Sequence, residues 1–144
     1  MMAAKITHIV DANAVIAYLK GDEGHEIIAD LLRDEENVLA IHAVQLCEVY
    51  YGYYRADGQE IADRAWQRAL EIVRLLPEIS ETFIKRVGRW KARRWERDGQ
   101  GYYLSIADAF AAATAEEYAC PLVTKDRNDF SAIAEAGALQ IVWL

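Results

Sequence analysis

Four acidic side chains stand inside short apolar stretches, where an ionised carboxylate is costly unless it is paired, protonated or bound to metal. Asp11 follows Ile9-Val10, and Glu48 lies in Leu46-Cys47-Glu48-Val49. Asp108 lies in Ser105-Ile106-Ala107-Asp108-Ala109-Phe110, and Asp126 closes Leu122-Val123-Thr124-Lys125-Asp126. Gathered at one edge, such a set is strongly frustrated. Two like charges about 4 Å apart repel by roughly 4 kcal/mol at an effective dielectric near 20. Mg²⁺ or Mn²⁺ relieves that repulsion, because hard cations take oxygen ligands and need neither His nor Cys. The three histidines, His8, His25 and His42, form no zinc-type spacing. An all-carboxylate site suits phosphoryl chemistry, in which metal activates water and offsets the charge on phosphate and leaving oxygen. Thr124 and Asn13 are candidates to orient carboxylates or waters behind the ligands. Each acid alone also has a structural reading: Asp11 as a helix cap, Asp108 as a first-turn helix acid, Asp126 and Asp129 as turn residues.

Positioning these acids requires strands that end together and helices that start there. Residues 6–10 read as a buried first strand, after which Asp11-Ala12-Asn13 opens an Ala-rich helix. Gly21-Asp22 ends it, a second helix runs to about residue 33, and 38–41 is a short strand. A helix over 43–55 carries Glu48, with Val44, Cys47, Glu48 and Tyr51 on one face. Gly58 separates it from a long amphipathic helix ending near Val73. Leu75-Leu76-Pro77 is an edge segment, because proline has no ladder donor. Helical spacing is expected from 81 to 97, broken by Asp98-Gly99-Gln100-Gly101. A helix over 104–118 follows, with Leu104, Ala107, Asp108, Ala111 and Ala115 on one face. Strand 121–124, a short helix near 131–135 and a last strand over 139–144 complete the chain. Strands alternating with helices predict an α/β fold with a mainly parallel central sheet, whose sites lie at the carboxyl ends of the strands. Asp11 and Asp126 stand at two such ends.

The 144 residues, 53% of them hydrophobic, suffice for one domain with a sizeable core, spanning 1–144. No apolar run approaches the roughly 18 residues of a membrane span, and Met1-Met2-Ala3-Ala4-Lys5-Ile6 lacks a signal peptide's long apolar region. Cys47 and Cys120 have no ligand-type spacing and are expected to be reduced, packed thiols, which fits a cytoplasmic protein. The net charge of −7 excludes unselective adhesion to nucleic acid. Locally the balance inverts: residues 85–97 carry seven basic side chains and only Glu96, a net +6 that leaves −13 for the rest.

Ile9-Val10-Asp11-Ala12-Asn13, Glu48-Val49-Tyr50-Tyr51-Gly52, Leu104-Ser105-Ile106-Ala107-Asp108-Ala109 and Thr124-Lys125-Asp126-Arg127-Asn128-Asp129-Phe130 occur in the order and spacing of one family's motifs. Through them the chain resembles the PIN domain family, and within it the VapC-type toxins of prokaryotic toxin–antitoxin pairs. The resemblance covers essentially the whole chain. It implies a three-layer α/β/α fold and Mg²⁺- or Mn²⁺-dependent endoribonuclease activity. It also implies a homodimer neutralised by a cognate antitoxin protein. By motif, Asp11, Glu48 and Asp108 correspond to the core metal-binding and catalytic acids and Asp126 to the fourth, with Asp129 a fifth ligand or its substitute.

Two further features bear on substrate. On a continuous helix, Arg86, Arg89, Arg93 and Arg97 would form a stripe beside Phe83, Ile84, Val87 and Trp90. That stripe reads as a solvated face, as a docking face for an antitoxin, or as a clamp on the RNA backbone, which an acidic pocket cannot attract unaided. Tyr50, Tyr51, Tyr53 and Tyr54 surround Gly52; some are expected in the core and the rest to stack bases or line a dimer contact, with core or interface packing favoured. Other functional classes share some of these residues. A haloacid-dehalogenase-like phosphatase needs a second acid where Asn13 stands and leaves Glu48 without a role. A phosphoacceptor receiver domain takes its Thr and Lys from different strands, whereas Thr124 and Lys125 are adjacent. A PIN-like module that only binds partners would not require the full acid set.

Overall fold

The computed structural model describes residues 4–144; the reading of Met1-Met2-Ala3 lies outside them. In chain order the elements are β1 (His8–Val10), α1 (Ala12–Lys20), α2 (His25–Arg33), β2 (Leu39–His42), α3 (Ala43–Asp57), α4 (Gln59–Ile72) and β3 (Arg74–Leu76). They continue with α5 (Glu81–Ala92), β4 (Trp95–Arg97), β5 (Gln100–Tyr102), α6 (Ile106–Glu117), β6 (Leu122–Thr124), α7 (Arg127–Glu135) and β7 (Ile141–Trp143).

Alternation along the short strands builds two cores. Successive strand residues point to opposite faces, so Ile9, Ala40 and Leu122 face one side of the sheet while Val10, Leu39, Ile41 and Val123 face the other. On the first side α5, α6 and α7 bring Phe83, Val87, Trp90, Ala109, Phe130 and Ile133. On the second side α1 to α4 bring Val15, Leu19, Ile28, Leu46, Val49 and Ala69. The sheet order is β3-β2-β1-β6-β7 and every pairing is parallel. The result is the expected three-layer α/β/α arrangement, with β1 in the middle and its carboxyl end between those of β2 and β6. Alanine dominates α6 (107, 109, 111–113 and 115, all buried), which lets that helix lie deep against its neighbours. β3 occupies the sheet edge, as the proline after it requires. Among the described residues no helix is long and apolar enough to cross a membrane.

The basic segment departs from expectation. The helix stops at Ala92 instead of reaching Arg97, and the chain turns into the antiparallel pair β4–β5. Asp98 and Gly99 both have positive φ, 53° and 78°, which two-residue hairpin turns demand and which Asp-Gly supplies readily. Trp95 is thereby returned onto Trp90, the rings stacked at 6.1 Å and 17°. That buried apolar contact outweighs continuation of a charged helix. Arg86 and Arg89 therefore stay on α5, Arg93 caps its end, and Arg97 belongs to the hairpin. The helix expected at 131–135 starts at Arg127, because Asp126 caps it.

The α2 N-terminus joins the last residue of the chain by close approach. Gly24 has φ 90°, and a Cβ there would lie 2.7 Å from Leu144 Cβ. Gly24→Ala is therefore expected to cost about 1–3 kcal/mol and to lower the thermal midpoint by several degrees. A calorimetric midpoint equal to wild type would show that the contact yields freely.

Candidate metal centre

Asp11 leaves the centre of the sheet at the end of β1 and caps α1, its Oδ1 accepting from Ala14 N–H at 2.9 Å. Its Oδ2 accepts from the Thr124 hydroxyl, and the same hydroxyl oxygen accepts from Asp126 N–H at 3.0 Å. Thr124 is fully buried at the end of β6. One hydroxyl thus bonds both to the acid after β1 and to the backbone of the acid after β6. Asp126 in turn caps α7 by accepting from Asp129 N–H at 3.0 Å. Asp108 lies in the first turn of α6, where the Ser105 cap accepts its N–H at 3.1 Å. Three helix N-termini, those of α1, α6 and α7, thus begin at the acids. Their unpaired N–H groups and dipoles favour negative charge there.

One carboxylate oxygen from each of Asp108, Asp126 and Asp129 lies within 4.8 Å of the others. Asp11 and Glu48 are outside that group of three but adjoin it. Burial pushes the Asp11 carboxyl up to about 6, and Asp126 and Glu48 push the same way against the hydrogen bonds from Thr124 and Ala14. Burial likewise lifts Asp108 to about 8, reinforced by Asp129, Asp126 and Asp11. Asp126 is raised by burial and then by Asp129. Glu48 is raised by burial, with partial relief from the Tyr51 hydroxyl, which donates to Oε1 at 3.5 Å. Such a set wants either protons or a cation. Its donors are oxygens only, half-buried and convergent, and they fit a hard divalent ion of the Mg²⁺ or Mn²⁺ type.

The neighbours of the acids differ in part from expectation. Asn13 is exposed and makes no side-chain hydrogen bond among the described residues. The side chain that joins the helices carrying the acids is Gln45, which sequence reasoning missed. Gln45 is buried; its Oε1 accepts from Ala12 N–H at 2.8 Å and its Nε2 donates to Ala107 O at 2.6 Å. It straps the start of α1, beside Asp11, to the start of α6, beside Asp108. A buried amide three residues before Glu48 in an otherwise apolar run was the available signal. The face of α3 holding Val44, Cys47, Glu48 and Tyr51 is open rather than packed: Cys47 and Tyr51 are exposed, and the core side is Gln45, Leu46 and Val49. Cys47 is thus a free, exposed thiol and not a packed one, whereas Cys120 is half-buried. None of the four tyrosines around Gly52 is fully buried.

The four arginines divide. Arg86 is engaged by Glu116 at 3.0 Å and Glu117 at 3.4 Å. With Arg89, Trp90, Arg93 and Glu116 it lines a cavity of about 120 Å³. Arg93 stacks 3.9 Å from the centre of the Trp95 ring. Arg97 reaches the acids themselves, donating to Asn128 O at 2.9 Å and pairing with Asp129 Oδ1 at 3.3 Å. Tyr102, across the hairpin, donates its hydroxyl to Asp129 O at 2.7 Å.

The raised carboxyls set the pH dependence of the ion-free protein. Folded Asp108 and Asp11 hold protons that the unfolded chain releases near pH 4, so this contribution to stability is complete below that pH. It falls as pH rises towards 6 for Asp11 and 8 for Asp108. In EDTA, Asp108→Asn should flatten the upper part of that fall and raise the midpoint at pH 8, by about 2–4 °C per kcal/mol of repulsion removed. A steeper fall in the variant would assign the dependence to other groups. Gln45→Ala, which strips partners from two buried backbone groups, should cost about 1–3 kcal/mol and weaken Mn²⁺ binding by calorimetry. Unchanged Mn²⁺ affinity would leave Gln45 a packing residue.

No curated protein matches the chain by sequence. Solved structures match over nearly its full length. VapBC2 from Rickettsia felis, solved on a DNA fragment from its promoter, aligns at TM-score 0.73 and 18% identity over 96% of this chain and 99% of that one. VapBC-1 from nontypeable Haemophilus influenzae aligns at 0.70 and 20% over 96% and 98%. Mycobacterium tuberculosis VapC20, a sarcin–ricin loop cleaving toxin, aligns at 0.65 and 22% over 88% and 95%. These likenesses show the fold. The PIN domain family model matches residues 8–136, from the first central strand through α7, so the chain belongs to the PIN domain family.

Proposed function

We propose that this protein is a Mg²⁺- or Mn²⁺-dependent endoribonuclease, the cytoplasmic toxin of a type II toxin–antitoxin pair, acting as a homodimer and neutralised by a cognate antitoxin protein. The observation that carries the reading is the convergence of Asp108, Asp126 and Asp129 beside buried Asp11 and half-buried Glu48. The likeness to VapC20, described as cleaving the sarcin–ricin loop, supports RNA as the substrate class. The likeness to VapBC complexes supports an antitoxin partner.

Asp11, Asp108 and Asp126 would hold the cation, with Glu48 and Asp129 completing the set from either flank. A bound divalent ion supplies Lewis acidity towards water and phosphate oxygen at neutral pH. The protein does the rest. Thr124 keeps the Asp11 carboxylate from rotating, and Gln45 keeps Asp11 and Asp108 at constant separation. The N-termini of α1, α6 and α7 stabilise anionic substrate oxygens. Arg89, Arg93 and Arg97 neutralise backbone phosphates beside a pocket that would otherwise repel them. In-line attack by water then leaves a 5′-phosphate and a 3′-hydroxyl.

Purified protein should cut a mixed RNA pool with Mg²⁺ or Mn²⁺ and not with EDTA. Asp11→Asn should reduce cutting by more than about 100-fold, and Thr124→Val by roughly 10–100-fold, with folding retained. Full cutting by Asp11→Asn would remove Asp11 from the chemistry, and metal binding without cutting of any RNA would favour a binding module. Neutralising Arg89, Arg93 and Arg97 together should lower the salt dependence of single-stranded RNA binding, by about 0.7 in log–log slope for each phosphate no longer neutralised. An unchanged slope would return those side chains to an ordinary solvated face.

A further inference from the structure

Arg55, near the end of α3, is exposed and has no acidic partner within ion-pair distance among the described residues. Its guanidinium lies 5.0 Å from the centre of the Tyr51 ring, and the Tyr51 hydroxyl donates to Glu48. Glu48, Tyr51 and Arg55 are spaced i, i+3 and i+7, so they share one stripe of the helix. The opposite flank repeats the pattern with different elements. Arg97 lies 4.8 Å from the centre of the Tyr102 ring, and Tyr102 donates to the backbone of Asp129. In both cases a tyrosine hydroxyl touches an acidic residue and its ring carries an arginine.

The two pairs stand on opposite sides of Asp11. In the sheet, β2 lies on one side of β1 and leads into α3, while β6 lies on the other and leads into α7. The acids therefore run from Glu48 on α3 past Asp11 to Asp129 on α7, with one tyrosine–arginine pair beside each terminal acid. A guanidinium stacked on a ring keeps its N–H edge free and pre-oriented for a phosphate. Arg97 spends part of that edge on Asn128 and Asp129, whereas Arg55 spends none on an acid. Tyr51 itself is 42% exposed, leaving ring surface on which a base can stack.

We infer that Arg55 and Tyr51 form a second nucleotide subsite, gripping the RNA phosphate on the Glu48 side of the reacting one while Arg97 and Tyr102 grip the strand on the Asp129 side. The inference rests on the endoribonuclease reading and adds that the substrate crosses the acids as an extended single strand held at both ends. A duplex, whose bases are already paired and stacked, gives Tyr51 nothing to stack on.

Anisotropy of a labelled single-stranded RNA, with Ca²⁺ replacing Mg²⁺, tests this on the whole protein. Arg55→Ala should weaken binding about 5–10-fold and lower the salt slope by about 0.7, as follows when one phosphate goes unneutralised. Arg55→Lys should restore the slope without the full affinity. Removing nucleotides from one end of the RNA should weaken wild type but leave Arg55→Ala unaffected, while trimming the other end should weaken both. Because Arg55 is exposed, the variants should melt with wild type. Wild-type affinity and slope in Arg55→Ala, beside a loss in Arg97→Ala, would overturn the second subsite and leave the nuclease reading standing. A wild-type protein that neither binds nor cuts any RNA would overturn both.

Discussion

Asp11 is only 2% exposed at the centre of the sheet, and an ionised carboxylate there costs free energy that the flanking apolar cores do nothing to offset. Much of the molecule compensates for that one placement. A hydroxyl from β6 and a backbone N–H from α1 each take one oxygen of the carboxylate. The remaining acids are brought to the same place by helices that begin, rather than end, there. Had α6 or α7 run the other way, their carbonyl ends would add to the repulsion. The parallel sheet enforces this polarity, since every strand that delivers an acid must be followed by a helix leaving the same edge.

Rigid anchoring and electrostatic frustration belong together here. Asp108, Asp126 and Asp129 stay close because Ser105 caps α6 and Asp126 caps α7, not because their charges tolerate each other. Gln45 adds a strap between two helices that the sheet alone would leave free to slide. The acids are therefore held together by the backbone against their own repulsion, which the proposed cation would relieve. Arg97 pairs with Asp129, the acid at the β6 flank.

Much of this was legible from residue types. Alternation in Ile9-Val10 and Leu122-Val123 foretold strands buried on both faces, and the apolar company of Asp11 and Asp108 foretold acids held against their solvation. What stayed hidden depended on contacts between distant segments. Asp98-Gly99 looked like the end of a helix, because only the return of Trp95 onto Trp90 makes it the turn of a hairpin. Gln45 gave no sign of its two backbone partners, one of them 62 positions away. Cys47 lies beside Leu46 in sequence yet on the opposite side of the helix from the core, so an apolar neighbourhood along the chain said little about packing.

The strand order β3-β2-β1-β6-β7 has a consequence for the birth of the molecule. As the chain leaves the ribosome, β1 can pair with β2 early, but its other side stays open until β6 has been made, more than a hundred residues later. Thr124, Asp126 and Asp129 all arrive with that last insertion or just after it. A partly made chain thus has a bare strand at its heart and no complete acid set. The open flank of β1 is where a nascent chain most needs shielding from its neighbours.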